Sequence, residues 1–297
     1  MSLFSADALA GKRILVTGGG TGLGLATAEK LATLGAEVHL WGRRGKVLEA
    51  AAAQIHAACG ADNRAFAQSV DIRNAESVDA AAAAIWDDHG PLTGLINNAA
   101  ANFISPTERL TPRGFAAITS TVMDGAFFTT HACGRRWIEQ GLPGSVLSVL
   151  VTWVWTGSAY VVPSAMAKTA VHAMTRSLAV EWARHRIRLN ALAPGPFPTD
   201  YAWQMLSPDG AAVGATQADD VPMGRYGDPE ELANLAAFLM ADGCDYMTGA
   251  TLTVDGGHHL AAPSTFAGLS ALSGEDWDRV RDQIKAATAQ TKADRSV

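Results

Sequence analysis

The chain has 297 residues, of which 48% are hydrophobic and 18% charged, and its formal net charge is −6. This length suffices for one large α/β domain, and an acidic balance without a basic block argues against a nucleic-acid surface. We recognise neither a signal peptide at the amino terminus nor an apolar stretch of the roughly 20 residues that a membrane helix needs. The three cysteines show no metal-ligand spacing, which indicates reduced thiols. We therefore expect a cytoplasmic protein with no membrane span, no nucleic-acid partner and no metal.

Short β-branched runs alternate with longer alanine-rich segments of helical periodicity, a pattern typical of βα units around a parallel sheet. The predicted strands are Arg13–Thr17, Glu37–Trp41, Ala65–Val70, Gly94–Asn97, Ser145–Leu150, Ile187–Leu192 and Thr251–Val254. The predicted helices are Thr21–Leu34, Lys46–Cys59, Ala75–Asp88, Pro112–Gln140, Ser164–His185 and Pro229–Ala241. We predict the α/β class: a single Rossmann-type doubly wound domain with a seven-stranded, mostly parallel sheet and helices on both faces.

Two segments lie outside this alternation. Residues 199–220 are polar, with Pro and Gly punctuation, and are predicted to form a loop that covers the substrate site. Residues 263–297 contain a helix-like stretch, Glu275–Thr288. We therefore assign residues 1–262 to the cofactor-binding domain and residues 263–297 to a C-terminal extension packing on the same domain.

The first predicted strand runs directly into a glycine-rich turn, Thr17–Gly24, which opens a helix. Glycines allow the backbone to approach a pyrophosphate closely, and a helix N-terminus offers N–H groups and partial positive charge. A glycine-rich turn alone is also compatible with a structural loop. The strand–turn–helix context favours a dinucleotide site formed by Gly18, Gly19, Gly20, Thr21, Gly22 and Leu23.

Three further candidates follow the next three strands. An acidic residue after the second strand would bind the 2′-hydroxyl of NAD, but Arg43 stands there and suits the 2′-phosphate of NADP(H). A solvated surface arginine is the alternative. Asp71 could hold the adenine edge or cap a helix. Asn98 could lie beside the cofactor or tie strands together.

Two motifs later in the chain complete the predicted cofactor site. Ser164 and Lys168 are four residues apart at a helix start, so they share a face and can hydrogen bond. Lys168 would present its ammonium to the nicotinamide ribose, with Ser164 orienting it or serving as a helix N-cap. The turn after the sixth strand would contact the nicotinamide carboxamide through its backbone, and Thr199 would contact a phosphate. The prolines of this turn are also explained by a rigid turn without any ligand. The residues of that turn are Pro194, Gly195, Pro196, Phe197 and Thr199.

Together these motifs resemble the short-chain dehydrogenase/reductase superfamily over Gly11–Gly257. The resemblance also rests on Asn97–Ala100 and on Thr248-Gly249 with Val254-Asp255-Gly256-Gly257. A closer likeness, to the NADPH-dependent 2,4-dienoyl-CoA reductases of the mitochondrial type, is carried by Asn102–Leu110, Val161–Lys168 and Glu275–Trp277. It implies an acyl-CoA thioester substrate, NADP(H) as cofactor and a homo-oligomer, either a dimer or a tetramer.

The usual catalytic set of the superfamily is Asn, Ser, Tyr and Lys. The corresponding positions here hold Val122, Val151, Ser164 and Lys168, so only the lysine is kept. The dienoyl-CoA reductases resemble this chain in that loss. A serine hydroxyl is a far poorer acid than a tyrosine for reducing a ketone. Hydride addition to a conjugated thioester instead requires hydrogen bonds to a dienolate oxygen, and water can supply the proton.

The resemblance implies that Asn102 holds the dienolate oxygen together with a tyrosine, whose position Trp153 takes here. An indole N–H can donate a hydrogen bond but cannot accept one. Tyr160 is the alternative acid, or else a wall residue.

By the same resemblance, Arg73, Phe103 and Thr111 match positions that contact the CoA thioester. Arg73 could pair with a CoA phosphate or lie on the surface.

The residues leave three functions open. The first is an NADPH-dependent reductase of a conjugated unsaturated acyl-CoA. The second is an NADP-dependent dehydrogenase or ketoreductase that acts on a bulky acyl-CoA, steroid or polyketide-like substrate with Tyr160 as the acid. The third is a cofactor-binding subunit without catalysis, a reading motivated by the replaced catalytic positions.

Overall fold

A computed structural model describes residues 3–60, 64–199, 218–261, 269 and 272–293. Its centre is one seven-stranded sheet of order β3-β2-β1-β4-β5-β6-β7, in which every neighbouring pair is parallel. The seven-stranded Rossmann-type prediction is confirmed, and the sheet is entirely rather than mostly parallel. The strands are β1 Arg13–Thr17, β2 Glu37–Gly42, β3 Ala65–Ser69, β4 Gly94–Asn97, β5 Gly144–Val149, β6 Ile187–Pro194 and β7 Thr251–Val254.

Helices cover both faces of this sheet. On one face α1, α2 and α8 enclose a core that includes Leu31, Leu48 and Leu232, and on the other α3 and α5 enclose Val78 and Trp137. Strands covered on both sides read as nearly continuous apolar runs, as in the buried β5. The helices are α1 Gly22–Thr33, α2 Gly45–Cys59, α3 Ala75–Asp88, α4 Pro112–Thr119, α5 Gly125–Gln140, α6 Trp153–Thr156, α7 Val162–Glu181, α8 Pro229–Met240, α9 His258–Ala261 and α10 Gly274–Ala293.

The prediction of one uninterrupted α-helix over Pro112–Gln140 was wrong for the middle of this segment. A π-helical segment, Ser120–Asp124, separates α4 from α5. Hydroxyls of successive Ser and Thr residues donate to carbonyls four residues earlier, including Ser120 Oγ to Ala116 O at 2.5 Å and Thr121 Oγ1 to Ala117 O at 3.0 Å. Such bonds compete with the regular backbone ladder and bend helices.

Helix α7 starts earlier than predicted. It begins at Val162, with Val161 as the N-cap residue and Pro163 in its first turn. Proline is favoured at this place because its φ is fixed near the helical value and its missing N–H costs nothing there. Ser164 therefore lies inside the first turn, and the N-cap interpretation of Ser164 was wrong.

The end of the described chain forms a helix longer than Glu275–Thr288. Ser273 caps α10: its hydroxyl accepts from Asp276 N at 3.2 Å, and the Asp276 carboxylate accepts from Ser273 N at 2.8 Å. Within the described ranges, no helix combines the length and apolar character needed to cross a bilayer. Of the predicted substrate loop 199–220, residues 200–217 lie outside the described part of the chain.

Candidate active site

Most of the predicted site residues follow the carboxyl ends of the parallel strands, in loops or at helix starts at one edge of the sheet, while Ser164 and Lys168 lie in the first two turns of α7. The loops after β1, β2, β3, β4, β5 and β6 all contribute. The strand order reverses between β1 and β4, and open α/β sheets bind ligands at such a switch point.

The glycine turn has a backbone that other residues would not adopt at low cost. Gly18 and Gly22 have φ of +67° and +54°, in the left-handed region. A Cβ at Gly24 would lie 2.3 Å from Gly18 O, so α1 packs directly on the turn. Thr21, the N-cap residue of α1, makes no side-chain cap bond, and the first turn of α1 carries no acidic residue. This chemistry fits a pyrophosphate at the helix N-terminus.

Asn98 supports the glycine turn from the end of β4. Its amide Nδ2 donates to Thr17 O at 3.1 Å and to Gly18 O at 3.3 Å. In return, Thr17 Oγ1 accepts from the backbone N–H groups of Asn98 and Ala99, both at 3.1 Å. These hydrogen bonds connect the end of β4 to the end of β1, which is the strand-connecting role predicted as one alternative for Asn98. Sequence reasoning missed Thr17 in this network, although it stands directly before the first glycine.

A small charged group lies at the ends of β2 and β3. Arg73 binds Asp71 with its Nε at 2.9 Å from Oδ1 and its Nη2 at 2.5 Å from Oδ2. The bonds from Arg73, with the charge of nearby Arg43, hold the pKa of Asp71 below its usual value. The positive charge of Arg43 thus stands beside an ionised carboxylate that Arg73 already neutralises. The predicted ligand roles of Asp71 and Arg73 would require opening an exposed ion pair, which costs little.

The loop after β6 lies close to the glycine turn. A Cβ at Gly22 would lie 3.3 Å from Thr199 Cγ2, and a Cβ at Gly195 would lie 2.5 Å from Asp255 Cβ. Phe197 is 7% exposed and its ring packs on Gly227, so its side chain is part of the protein interior. Thr199 therefore lies beside the glycine turn, and its contact with a cofactor phosphate stays a prediction.

Lys168 is buried at the centre of the site. Its ammonium donates to Val149 O, at the end of β5, at 2.5 Å. Among the described residues this carbonyl, rather than Ser164 Oγ, orients the lysine, so the expected Ser164–Lys168 hydrogen bond was wrong. Burial lowers the pKa of Lys168 to about 8, because a desolvated ammonium is disfavoured. Ser164 is 4% exposed and precedes Lys168 by one helical turn.

The predicted oxyanion donors come from the loops after β4 and β5. Asn102 Oδ1 accepts from Phe103 N at 2.9 Å, which leaves the Nδ2 group of this amide as its donor for a substrate. Trp153 begins α6, and both Trp153 and Tyr160 are partly buried.

Trp153 and Tyr160 belong to one hydrophobic cluster with the C-terminal helix. We call it the tail cluster; its members are Ile104, Trp153, Tyr160, Val161, Leu269, Leu272, Trp277, Val280 and Ile284. The rings of Tyr160 and Trp277 are 4.8 Å apart at an angle of 35°. Sequence reasoning used Trp277 only as part of a family likeness and missed this contact.

The remaining predicted substrate residues also have structural partners. Thr111 is the N-cap of α4 and its hydroxyl accepts from Gly114 N at 3.0 Å. Phe103 packs against the small core that contains Ile118, Val122 and Ala167. Val122, in the position of the usual catalytic asparagine, is therefore a buried apolar residue, 2% exposed.

A second group of titratable side chains lies at the opposite edge of the sheet, where β2 begins. Glu37, His39 and His89 bring potential metal-ligand atoms within 4.8 Å of one another. Glu37 Oε1 already accepts from Arg13 Nε at 2.6 Å and from His39 Nε2 at 2.8 Å. Burial lowers the pKa of His39 to about 4, so this imidazole is neutral near pH 7. The group is a hydrogen-bonded network around one carboxylate.

The parallel sheet, the glycine turn and the buried lysine define an oxidoreductase of the Rossmann type. The family model described as enoyl-(acyl carrier protein) reductase matches residues 18–259. A probable 2,4-dienoyl-CoA reductase from Bacillus subtilis is 40% identical over 84% of this chain and 97% of the relative. A probable 2,4-dienoyl-CoA reductase from Caenorhabditis elegans is 37% identical over 96% of this chain and 93% of the relative.

Solved structures agree with these relatives. A short chain dehydrogenase from Bacillus anthracis superposes with a TM-score of 0.76 at 36% identity, covering 86% of this chain and 98% of that one. The chain belongs to the short-chain dehydrogenase/reductase superfamily, whose members bind a nicotinamide cofactor.

Proposed function

We propose that the protein is an NADPH-dependent reductase of conjugated unsaturated acyl-CoA thioesters, similar to the 2,4-dienoyl-CoA reductases. The observation that carries this proposal is the buried Ser164, which occupies the place of the usual catalytic tyrosine one turn before Lys168. A ketone reductase must protonate a developing alkoxide, and a serine is poorly suited to that step. The names of the relatives from Bacillus subtilis and Caenorhabditis elegans support the same substrate class.

The chain's own residues would hold the reacting groups. NADPH, when bound, supplies a hydride to a carbon of the conjugated system. Asn102 Nδ2 and the Trp153 indole N–H would donate to the thioester oxygen, on which negative charge develops as the hydride adds. Lys168 would bind the ribose, and water would return one proton to carbon, so that one C=C bond is reduced for each NADPH oxidised.

The preference for NADP(H) rests on the charges at the end of β2. Arg43 is exposed and follows β2, where a carboxylate would repel a 2′-phosphate. The glycine turn, Lys168 and Thr199 would bind the parts of the cofactor that NAD and NADP share.

The direct test follows NADPH oxidation spectrophotometrically with 2,4-dienoyl-CoAs of several chain lengths. We expect turnover with at least one chain length, formation of an enoyl-CoA, and much weaker activity with NADH. Tight NADPH binding together with no turnover of any dienoyl-CoA would contradict the proposal.

A Tyr160→Phe variant separates this chemistry from carbonyl reduction. We expect the variant to keep most of its dienoyl-CoA reductase activity, because the ring that packs against Trp277 is retained. A wild type that reduces a carbonyl substrate, and a Tyr160→Phe variant that binds NADPH normally but has lost that carbonyl reduction, would identify Tyr160 as the acid and favour the ketoreductase.

We further propose that the protein is a cytoplasmic homo-oligomer. Large apolar side chains on the outer faces of the long helices are exposed, among them Phe127 on α5 and Met166 and Val180 on α7. Sedimentation velocity would report a dimer or a tetramer; a monomer at micromolar concentration would contradict this proposal.

A further inference from the structure

Tyr160 has a backbone conformation that is unusual for a bulky residue. Its φ is +63°, in the left-handed region that favours glycine. Such conformations persist only where the surroundings enforce them, and they concentrate at functional sites. Tyr160 directly precedes Val161, the N-cap of α7, and lies between Trp153 and Ser164 along the chain. Its conformation therefore sets the path of the segment between β5 and α7, residues 150–161, which carries Trp153.

Two contacts from outside this segment hold Tyr160. The backbone N–H of Ser105, in the loop after β4, donates to Tyr160 O at 2.9 Å. The ring of Trp277, on α10, packs against the Tyr160 ring with centroids 4.8 Å apart. The first contact joins the segment to the loop that carries Asn102, and the second joins it to the C-terminal helix.

Trp277 is itself held firmly in the first turn of α10. It is 8% exposed and packs in the tail cluster beside Ile104 and Val161, which are 3% and 0% exposed. The Ser273 cap fixes the start of α10. Arg109, on the loop after β4, pairs with Asp278 at 3.0 Å. The indole therefore approaches Tyr160 from a defined direction.

We propose that Trp277 is a positioning residue for the substrate side of the site. Its ring holds Tyr160 in the left-handed conformation, and through Tyr160 it aligns the 150–161 segment so that Trp153 and Asn102 face the same thioester oxygen. The inference rests on the proposed function, because the thioester is its substrate. Neither the glycine turn nor Thr199 belongs to the tail cluster, so we expect Trp277 to affect substrate binding and not cofactor binding.

The test compares Trp277→Ala with Trp277→Phe and with a control on the exposed face of α10, Lys285→Ala. Lys285 is 68% exposed. We expect Trp277→Ala to raise the KM for a 2,4-dienoyl-CoA on the order of tenfold or more, since small misplacements of binding groups are costly. The Kd for NADPH should stay within about twofold, because the predicted cofactor-binding residues are not members of the tail cluster. A higher KM with an unchanged Kd for NADPH indicates lost substrate binding. Trp277→Phe, which keeps an aromatic ring, should restore most of the lost affinity, and Lys285→Ala should match wild type.

A double-variant cycle tests whether Trp277 acts through Tyr160. Tyr160→Gly removes the ring and allows a positive φ without strain. In that background, Trp277→Ala should change KM far less than it does alone, because the two residues act as one unit. Effects that multiply independently, or an unchanged KM in Trp277→Ala, would overturn the inference.

A readout that needs no substrate separates this inference from the proposed function. Chymotrypsin cleaves after aromatic residues, and we expect faster cleavage at Tyr160 in Trp277→Ala than in wild type or Trp277→Phe. Wild type without activity on any dienoyl-CoA would contradict the proposed function alone. Equal cleavage rates in all three proteins would contradict the positioning role, whichever substrate the wild type uses. If Trp277→Ala fails to fold, Trp277→Leu takes its place in both the KM and the cleavage comparison, because leucine fills part of the indole's volume and has no aromatic ring to pack on Tyr160.

Discussion

Arg43 is the residue on which the proposed discrimination between NADP and NAD depends. We predict that Arg43→Ala raises the Kd for NADPH by about 10- to 100-fold, since hydrogen bonds to charged groups contribute roughly 1.5–3 kcal/mol. The Kd for NADH should change little, because NADH has no 2′-phosphate. Fluorescence titration with both cofactors checks this, with Arg44→Ala as the neighbouring control. Equal losses for NADPH and NADH would assign Arg43 a general electrostatic or structural role.

The proposed role of Lys168 in holding the cofactor predicts that cofactor binding depends on pH. Burial lowers its pKa to about 8, so in the free protein the ammonium is lost as the pH rises through that value. We predict that NADPH affinity falls between pH 7 and pH 9, because the neutral amine cannot donate a charged hydrogen bond to the ribose. Lys168→Arg should flatten this profile, since a guanidinium stays protonated throughout the range. A wild-type affinity that is constant from pH 7 to pH 9 would contradict the assignment.

At the scale of elements, the junction of β1 and α1 tolerates no added side chain. A Cβ at Gly24 would meet Gly18 O at 2.3 Å and Asn98 Nδ2 at 2.4 Å, and a backbone carbonyl cannot move aside cheaply. We predict that Gly24→Ala lowers the free energy of unfolding by about 1–3 kcal/mol, in the range of overpacked cores. Gly45→Ala, where a Cβ would meet nothing within 4 Å, should be neutral or stabilising. Urea unfolding of both variants measures the difference. Equal free energies of unfolding for Gly24→Ala and Gly45→Ala would contradict a close packing of α1 on the glycine turn.

The sequence predicts the strands well because buried parallel strands are short apolar runs bounded by Gly, Asn and Pro. The predicted bounds of β1, β4 and β7 coincide with the structure, and β6 extends two residues further, to Pro194. The π-helical segment was missed because its cause, hydroxyls donating to nearby carbonyls, leaves the apolar periodicity of the helix unchanged. The early start of α7 has a local signal in Pro163, because proline is favoured in the first turn of a helix.

The site was predictable as a set of loops, but not in its long-range contacts. Motif reasoning places the glycine turn, Asn98 and Thr199 at one edge, because each follows a parallel strand. No local pattern shows that Val149 O would orient Lys168, or that Trp277 would pack on Tyr160. Those contacts depend on how distant elements meet after folding, and only the three-dimensional packing reveals them.

At the scale of the whole molecule, the protonation of His39 makes the free energy of unfolding depend on pH in mild acid. Its folded pKa is about 4, below the unfolded value near 6.5, so between these values the unfolded chain binds the extra proton. Stability should therefore decrease as the pH falls from 6.5 to 4, by up to about 3 kcal/mol from this one group. Urea unfolding between pH 7 and pH 4.5 measures the loss, and His39→Gln should show a shallower dependence. The same slope in both proteins would assign the acid sensitivity to other groups.

The packing of α1 has a consequence for the order in which the protein can mature. The glycine turn and α1 precede α8 by most of the domain along the chain, yet α1 packs against α8, and Thr199 lies next to Gly22. During synthesis, Thr199 and α8 leave the ribosome long after β1 and α1. The apolar face of α1 therefore stays exposed until α8 has been synthesised. The nucleotide cleft is therefore a product of late synthesis, and we expect a nascent chain stalled before α8 to engage chaperones rather than NADPH.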